Sequence, residues 1–169
     1  MEFRVCIVDL DAYNRGEFEA EWISLPTSFE NLQDIVMRHT NGGKTDYAIY
    51  DYMTDLAVEI DKDTDVFKLN ELVERLCSLE EWELEVVEAY LEATGGTLGE
   101  AVRCVETGAY DIYEARDEAE LGYYVVERTP FGADVPEELR DYLDYEAIGR
   151  DFAFVSNGVF YGDFFYTFN

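Results

Sequence analysis

Residues 135–151 read VPEELRDYLDYEAIGRD. The spacing predicts one helix. Asp134 stands at a capping position, Pro136 lies near the first turn, and Glu137 and Glu138 follow where the helix dipole favours acids. Leu139, Tyr142 and Leu143 then fall on one side. Glu137, Asp141 and Asp144 fall on another, at i, i+4 and i+7. An apolar and aromatic stripe thus backs a stripe of carboxylates, and the chain repeats that pattern elsewhere.

The repetition is visible in the charge. The 169 residues hold 39 acids against 12 Lys and Arg, for a net charge of −27. Hydrophobic residues make up 48% and aromatics 15%, so the acidity belongs to a folded chain rather than a disordered one. Residues 1–60 carry 12 acids and 4 bases, residues 61–108 carry 13 and 4, and residues 109–169 carry 14 and 4. No acidic tail accounts for the total. Salt adaptation would explain acids, but not 13 Tyr and 11 Phe. An acidic surface repels nucleic acid and anionic lipid, so the expected partner is a strongly basic protein.

Before the opening stretch, alternating residues 3–10 predict a strand, residues 11–16 a turn, and residues 18–25 a second strand. Thr27 with Glu30 predicts a capping box and a helix to about His39, burying Phe29, Leu32 and Val36 or Ile35. Residues 41–43, Asn-Gly-Gly, break the chain before a third strand at YAIYDY, residues 47–52. Residues 1–60 therefore predict a three-stranded antiparallel sheet with one helix.

Residues 61–65, DKDTD, form a charged link. Leu69, Leu72, Val73 and Leu76 then mark a helix. Ser78 with Glu81 predicts the cap of the next, which turns Trp82, Val86, Val87, Tyr90 and Leu91 inward. Its other side carries Glu81, Glu85, Glu88 and Glu92. Like charges at i, i+4 cost about 0.2–0.5 kcal/mol per pair, so stability alone does not select that stripe. A third helix runs from Thr97 to about Thr107. Residues 61–108 predict a small helical bundle, too small to stand without its neighbours.

Residues 109–169 predict an α+β segment. It has a short strand at 110–114 and a helix at 117–127 bearing Asp117, Glu118 and Glu120. The opening stretch follows, then strands at 152–156 and 159–168 joined by Asn157-Gly158, a strong hairpin signal.

The chain carries few motifs with recognisable chemistry. Asp61, Asp63 and Asp65 match the first half of a calcium loop, but Val66 replaces the turn glycine and Leu72 the bidentate Glu. His39 is the single histidine, and Cys6, Cys77 and Cys104 are odd in number and widely spaced. Neither zinc, a disulfide framework nor a Cys-His pair is expected, and Cys6 and Cys77 read as core. The residues GGTLG at 95–99 lack the Lys-Ser/Thr of a phosphate loop. The N-terminus shows no signal-peptide pattern and no window is long and apolar enough to span a membrane, so a reducing cytoplasm is expected. Duplex DNA carries one charge per ~1.7 Å of axis, so −27 equals the charge of roughly 46 Å of duplex, or about 13 base pairs. Composition therefore favours an acidic scaffold that occupies a DNA-binding groove. The alternative is a general acidic interaction module or chaperone for a basic DNA-binding protein.

Three segments, VCIVDLDAYNRGEFEAEWISLP at 5–26, YAIYDY at 47–52 and VPEELRDYLDYEAIGRD at 135–151, together resemble the ArdA antirestriction proteins. Their order and spacing and the chain length fit that family too. The resemblance implies a non-enzymatic DNA mimic carried by mobile genetic elements, without cofactor or metal. It implies competition with DNA for the methyltransferase and specificity subunits of type I restriction-modification enzymes. It also implies an α+β protomer built as an elongated chain of three small domains, paired as a homodimer through the C-terminal domain. The expected phosphate-mimicking carboxylates are Glu81, Glu85, Glu88, Glu92, Asp117, Glu118, Glu120, Glu137, Asp141 and Asp144. Thr40–Thr45 and the terminal FFYTFN fit the family pattern least, and the sequence leaves open whether that aromatic tail packs inward.

Overall fold

The computed structural model describes residues 1–169 and is mixed α+β, with two small antiparallel sheets. Contacts group the chain into two compact units. The first comprises residues 1–80 and 97–99; the second comprises residues 81–96 and 100–169. The helices expected as a middle bundle are thus divided between them.

In the first unit, strands β1 (Phe3–Asp9), β2 (Ala20–Ser24) and β3 (Tyr47–Thr54) form a sheet in the order β2-β1-β3. The expected turn after β1 is instead a short helix, α1 (Leu10–Asn14). Asp9 makes it: its carboxylate accepts the Ala12 N–H at 2.9 Å, which satisfies an otherwise unbonded donor. That N–H is also the main reason the Asp9 carboxyl is held below the usual carboxylate range. Helix α2 (Phe29–His39) is capped by Ser28, one residue later than the Thr27 box predicts. Asn31 explains the shift, because its N–H takes the Ser28 hydroxyl while its side-chain amide takes Thr27 Oγ1 at 2.9 Å. Leu32 and Ile35 are buried, whereas Phe29 is exposed and stacks at 5.5 Å on Phe67.

Helix α3 (Val66–Cys77) takes its cap from Asp65, the last acid of the DKDTD link, which accepts from Phe67 and Lys68 N–H. Cys77, expected in the core, is exposed at the end of this helix. Ser78 ends α3 rather than opening the next helix; its hydroxyl donates to the Glu74 carbonyl at 3.0 Å. Asn70 is buried on α3 and binds Thr27 twice, accepting from its N–H at 2.8 Å and donating to its carbonyl at 3.0 Å. Removing such a side chain strands the half-buried N–H and carbonyl of Thr27. Asn70→Ala is therefore expected to cost about 2–4 kcal/mol, read as a lower midpoint in urea with the slope unchanged.

In the second unit, α4 (Glu81–Thr94) and α5 (Leu98–Thr107, with residues 98–99 grouped in the first unit) precede β4 (Tyr110–Tyr113) and α6 (Glu118–Arg128). Val86, Val87 and Leu91 of α4 are buried as expected, but Trp82 is exposed. A 3-10 turn at Pro130–Gly132, a single turn α7 (Glu137–Arg140), α8 (Tyr145–Ser156), β5 (Val159–Tyr161) and β6 (Phe164–Phe168) complete it. The sheet order is β4-β6-β5. The aromatic tail is its central strand, with Phe165, Tyr166 and Thr167 buried.

Two expectations at this end are corrected. Residues 135–151 are not one helix. Helix α7 buries no residue, so nothing extends it; Leu139 and Tyr142 point to solvent. Asp144 then caps a new helix by accepting the Ala147 N–H at 3.0 Å. Residues 152–156 are not a strand but the end of α8. Asn157, left-handed at φ 52°, stops that helix, and the hairpin turns at Gly162-Asp163 instead. Asn-Gly serves a helix stop and a hairpin turn through the same positive φ, so the dipeptide alone does not separate them.

Helices α6 and α8 meet through two glycines. A Cβ on Gly122 would collide with the Tyr145 carbonyl, and one on Gly149 with the Glu118 carbonyl. This close approach lets Ile148, Phe152 and Ala153 pack against the buried Leu121, Val125 and Phe165.

Candidate functional site

The expected carboxylates fall into three groups with different local roles. On α4, Glu81, Glu85 and Glu92 are exposed, while Glu88 is half-buried and accepts the Tyr161 hydroxyl of β5 at 2.6 Å. That bond, then burial, then the charges of Glu88, Glu92 and Glu85 push the Tyr161 phenol up to about 12. Glu88 thus contacts the hydroxyl directly, and the charges of Glu92 and Glu85 act on it as well. The sign of the pH effect follows. The phenol's pKa is higher folded than unfolded, so its contribution is complete below about pH 10 and is lost as pH rises toward about 12. Tyr161→Phe is expected to cost about 1 kcal/mol at neutral pH. The difference from the parent chain should shrink as pH rises from about 10 toward about 12, measured by urea titration across alkaline pH.

At the start of α6, Asp117 is the cap and accepts the Glu120 N–H at 2.9 Å. Glu118 is half-buried. Glu120 is neutralised locally by Arg116, which reaches Oε1 at 2.6 Å through Nη2 and Oε2 through Nε and the backbone N–H. The Arg116 side-chain bonds are the leading reason its carboxyl lies below the usual range.

The third group is not the continuous stripe that helical spacing predicts. Glu137 lies in the first turn of α7, Asp141 ends that turn, and Asp144 caps α8. All three are exposed, but the break between α7 and α8 puts them on separate pieces of backbone.

Five arginines are held in ion pairs with nearby acids. Arg4 pairs with Glu2, Arg15 with Glu17, Arg38 with Glu21, Arg116 with Glu120 and Arg140 with Glu127. His39 Nε2 lies 3.0 Å from Glu21 as well. The first unit holds 18 acids and 7 bases and the second 21 and 5, so each has a large surplus of carboxylate, −11 and −16. No group of three or more His, Cys, Asp or Glu is arranged to hold a metal ion. No helix is long and apolar enough to cross a membrane.

Sequence reasoning did not foresee the Glu88–Tyr161 bond, because the partners are 73 residues apart. The Arg116–Glu120 pair was signalled by its i, i+4 spacing.

The family model for antirestriction protein (ArdA) matches residues 5–166. The chain belongs to the ArdA family. The match spans both units and the three sequence segments that carry the resemblance. A search of curated proteins found no match. This ArdA-family chain thus presents an antirestriction fold with carboxylate in excess on each unit. The expected family segment at 135–151 is one of the places where that excess is interrupted by backbone structure.

Proposed function

We propose that this chain is a non-enzymatic inhibitor of type I restriction-modification enzymes that acts in the cytoplasm as a DNA mimic. Its carboxylates stand in for phosphates in the basic groove of the methyltransferase and specificity subunits. The observation that carries the reading is the large surplus of acids over bases on both units, −11 and −16, with five of the arginines already held in ion pairs. Family membership supports the antirestriction role. Glu81, Glu85 and Glu92 are the freest of the expected contacts. Glu137, Asp141 and Asp144 also face solvent, whereas Glu88 and Glu120 divide their charge between partner and fold.

The three-part build, with divisions near residues 60 and 108, and pairing through the C-terminal part belong to the same proposal. Phe154 and Val155 support the pairing, being 86% and 84% exposed on α8. Lone surface apolars are common, but two adjacent bulky ones on a packed helix are costly to leave wet. Phe154→Glu is expected to turn a dimer into a monomer in light scattering; an unchanged mass places the pairing surface elsewhere.

The cellular test uses unmodified phage on a host with a type I system. Expression of the chain is expected to raise plating efficiency by orders of magnitude and to leave a restriction-free host unaffected. Unchanged plating with full expression contradicts the inhibitor reading and favours a general acidic partner-binding role.

A further inference from the structure

One face of the first unit's sheet is turned toward α2, and the other is only partly open, with Cys6 and Val8 buried on it while Trp22 and Met53 are exposed. Ile7, Glu21 and Ile49 are cross-strand partners on the face toward α2, where Glu21 meets Arg38 and His39. Arg4, Cys6, Trp22, Asp51 and Met53 occupy the other face by the same register. A bulge at Cys6/Ile7 leaves Tyr50 without a strand partner. Tyr50 lies 5.1 Å from Phe18 and 5.8 Å from Tyr13, and Tyr13 lies 6.4 Å from Phe18. The three rings stay 53%, 59% and 45% exposed for Tyr50, Phe18 and Tyr13. Trp22 and Met53 are exposed beside them along the strands.

Acids frame this aromatic ground. Glu17 and Glu19 flank Phe18 in sequence, and Asp51 adjoins Tyr50; all are exposed. The one nearby cation on α1's exit, Arg15, is held by Glu17 at 3.0 Å. The chain itself shows what such a surface takes. The Arg4 guanidinium sits over the Trp22 ring at 5.3 Å. A planar, weakly hydrated guanidinium stacks on an aromatic face and pairs with a carboxylate at once, whereas an ammonium does so less well.

We propose that Tyr13, Phe18 and Tyr50 form an arginine-binding anchor for a basic protein partner. The anchor deepens the inhibitor reading by naming the partner chemistry: arginine side chains stack on the rings and bond the surrounding acids. The carboxylates elsewhere supply long-range attraction, and the rings supply a short-range preference that simple charge does not.

The test titrates the full chain with oligo-arginine and oligo-lysine of equal length at fixed ionic strength. The parent chain is expected to bind oligo-arginine about five- to tenfold more tightly. A variant with Tyr13→Leu, Phe18→Leu and Tyr50→Leu keeps apolar bulk but removes the rings, and that preference should largely disappear. Equal binding of the two peptides by the parent, or a preference unchanged in the variant, overturns the anchor. Should the triple variant unfold, ring-proton NMR on the parent decides. The Phe18 and Tyr50 rings should shift with oligo-arginine and far less with oligo-lysine; equal or absent shifts overturn it. The two readings fail separately. A chain that prefers arginine through these rings but leaves DNA on the enzyme loses the inhibitor role alone. A chain that displaces DNA without the preference loses the anchor alone.

Discussion

Gly149→Ala is expected to destabilise the second unit by roughly 3 kcal/mol or more, and Gly122→Ala to do the same. In each case the added Cβ lands on a backbone carbonyl of the facing helix, Glu118 for Gly149 and Tyr145 for Gly122. A backbone atom cannot rotate away as a side chain can. The helices must therefore separate, and Leu121 and Val125 of α6 lose their contacts with Ile148, Phe152 and Ala153 of α8. In a chain of this size that corresponds to about 6–12 °C in melting temperature. Gly99→Ala is the control, because its Cβ would meet Leu72 only at 4.0 Å, an ordinary contact. That variant should melt within about 2 °C of the parent. If Gly149→Ala melts like Gly99→Ala, the close packing of α6 on α8 is wrong.

The second large effect concerns charge. Replacing Glu81, Glu85, Glu92, Glu137 and Asp141 together by the matching amides is expected to weaken binding to a type I enzyme by roughly 100-fold or more. Each of the five alone should cost only a few-fold, because no single carboxylate dominates a distributed attraction. The combined variant should also bind with a shallower dependence on salt, since each lost ion contact removes a released counterion. Asp144→Asn tests whether capping and charge separate. Asn caps a helix about as well as Asp, so stability should hold while affinity falls slightly. One amide substitution that abolished inhibition in a fully folded variant would point to a specific catalytic or lock-and-key role instead.

The readable parts of the sequence were those where one periodic pattern faced one core. The apolar faces of α3 and α4 are of that kind, because burial on one side forces the pattern, and the Val- and Ile-rich strand at residues 3–9 was legible because residues 5–8 are buried in succession. The region 135–151 misled for a physical reason. Acids at i, i+4, i+7 suit a helix face, but Asp144 is also a good cap, and only packing decides between the two. Helix α7 buries no residue and is held through Arg140 to Glu127 and the Gly132 carbonyl, whereas α8 packs closely on α6. Gly122 and Gly149 carried the decisive information, yet an isolated glycine does not announce which backbone will approach it. The surplus of carboxylate on each unit was legible as a distribution of charge. The partial diversion of Glu88 to Tyr161 was not, since it depends on bringing α4 beside β5.

We propose that carboxylates of this chain occupy the DNA-binding groove of the partner. The direct measurement is displacement of a fluorescent duplex containing the recognition site from a purified type I methyltransferase–specificity complex. Added chain should release the duplex completely and in a mutually exclusive manner, with half-displacement rising in proportion to duplex concentration and weakening as salt is raised. A duplex that stays bound at saturating chain, with the chain bound beside it, would contradict the account.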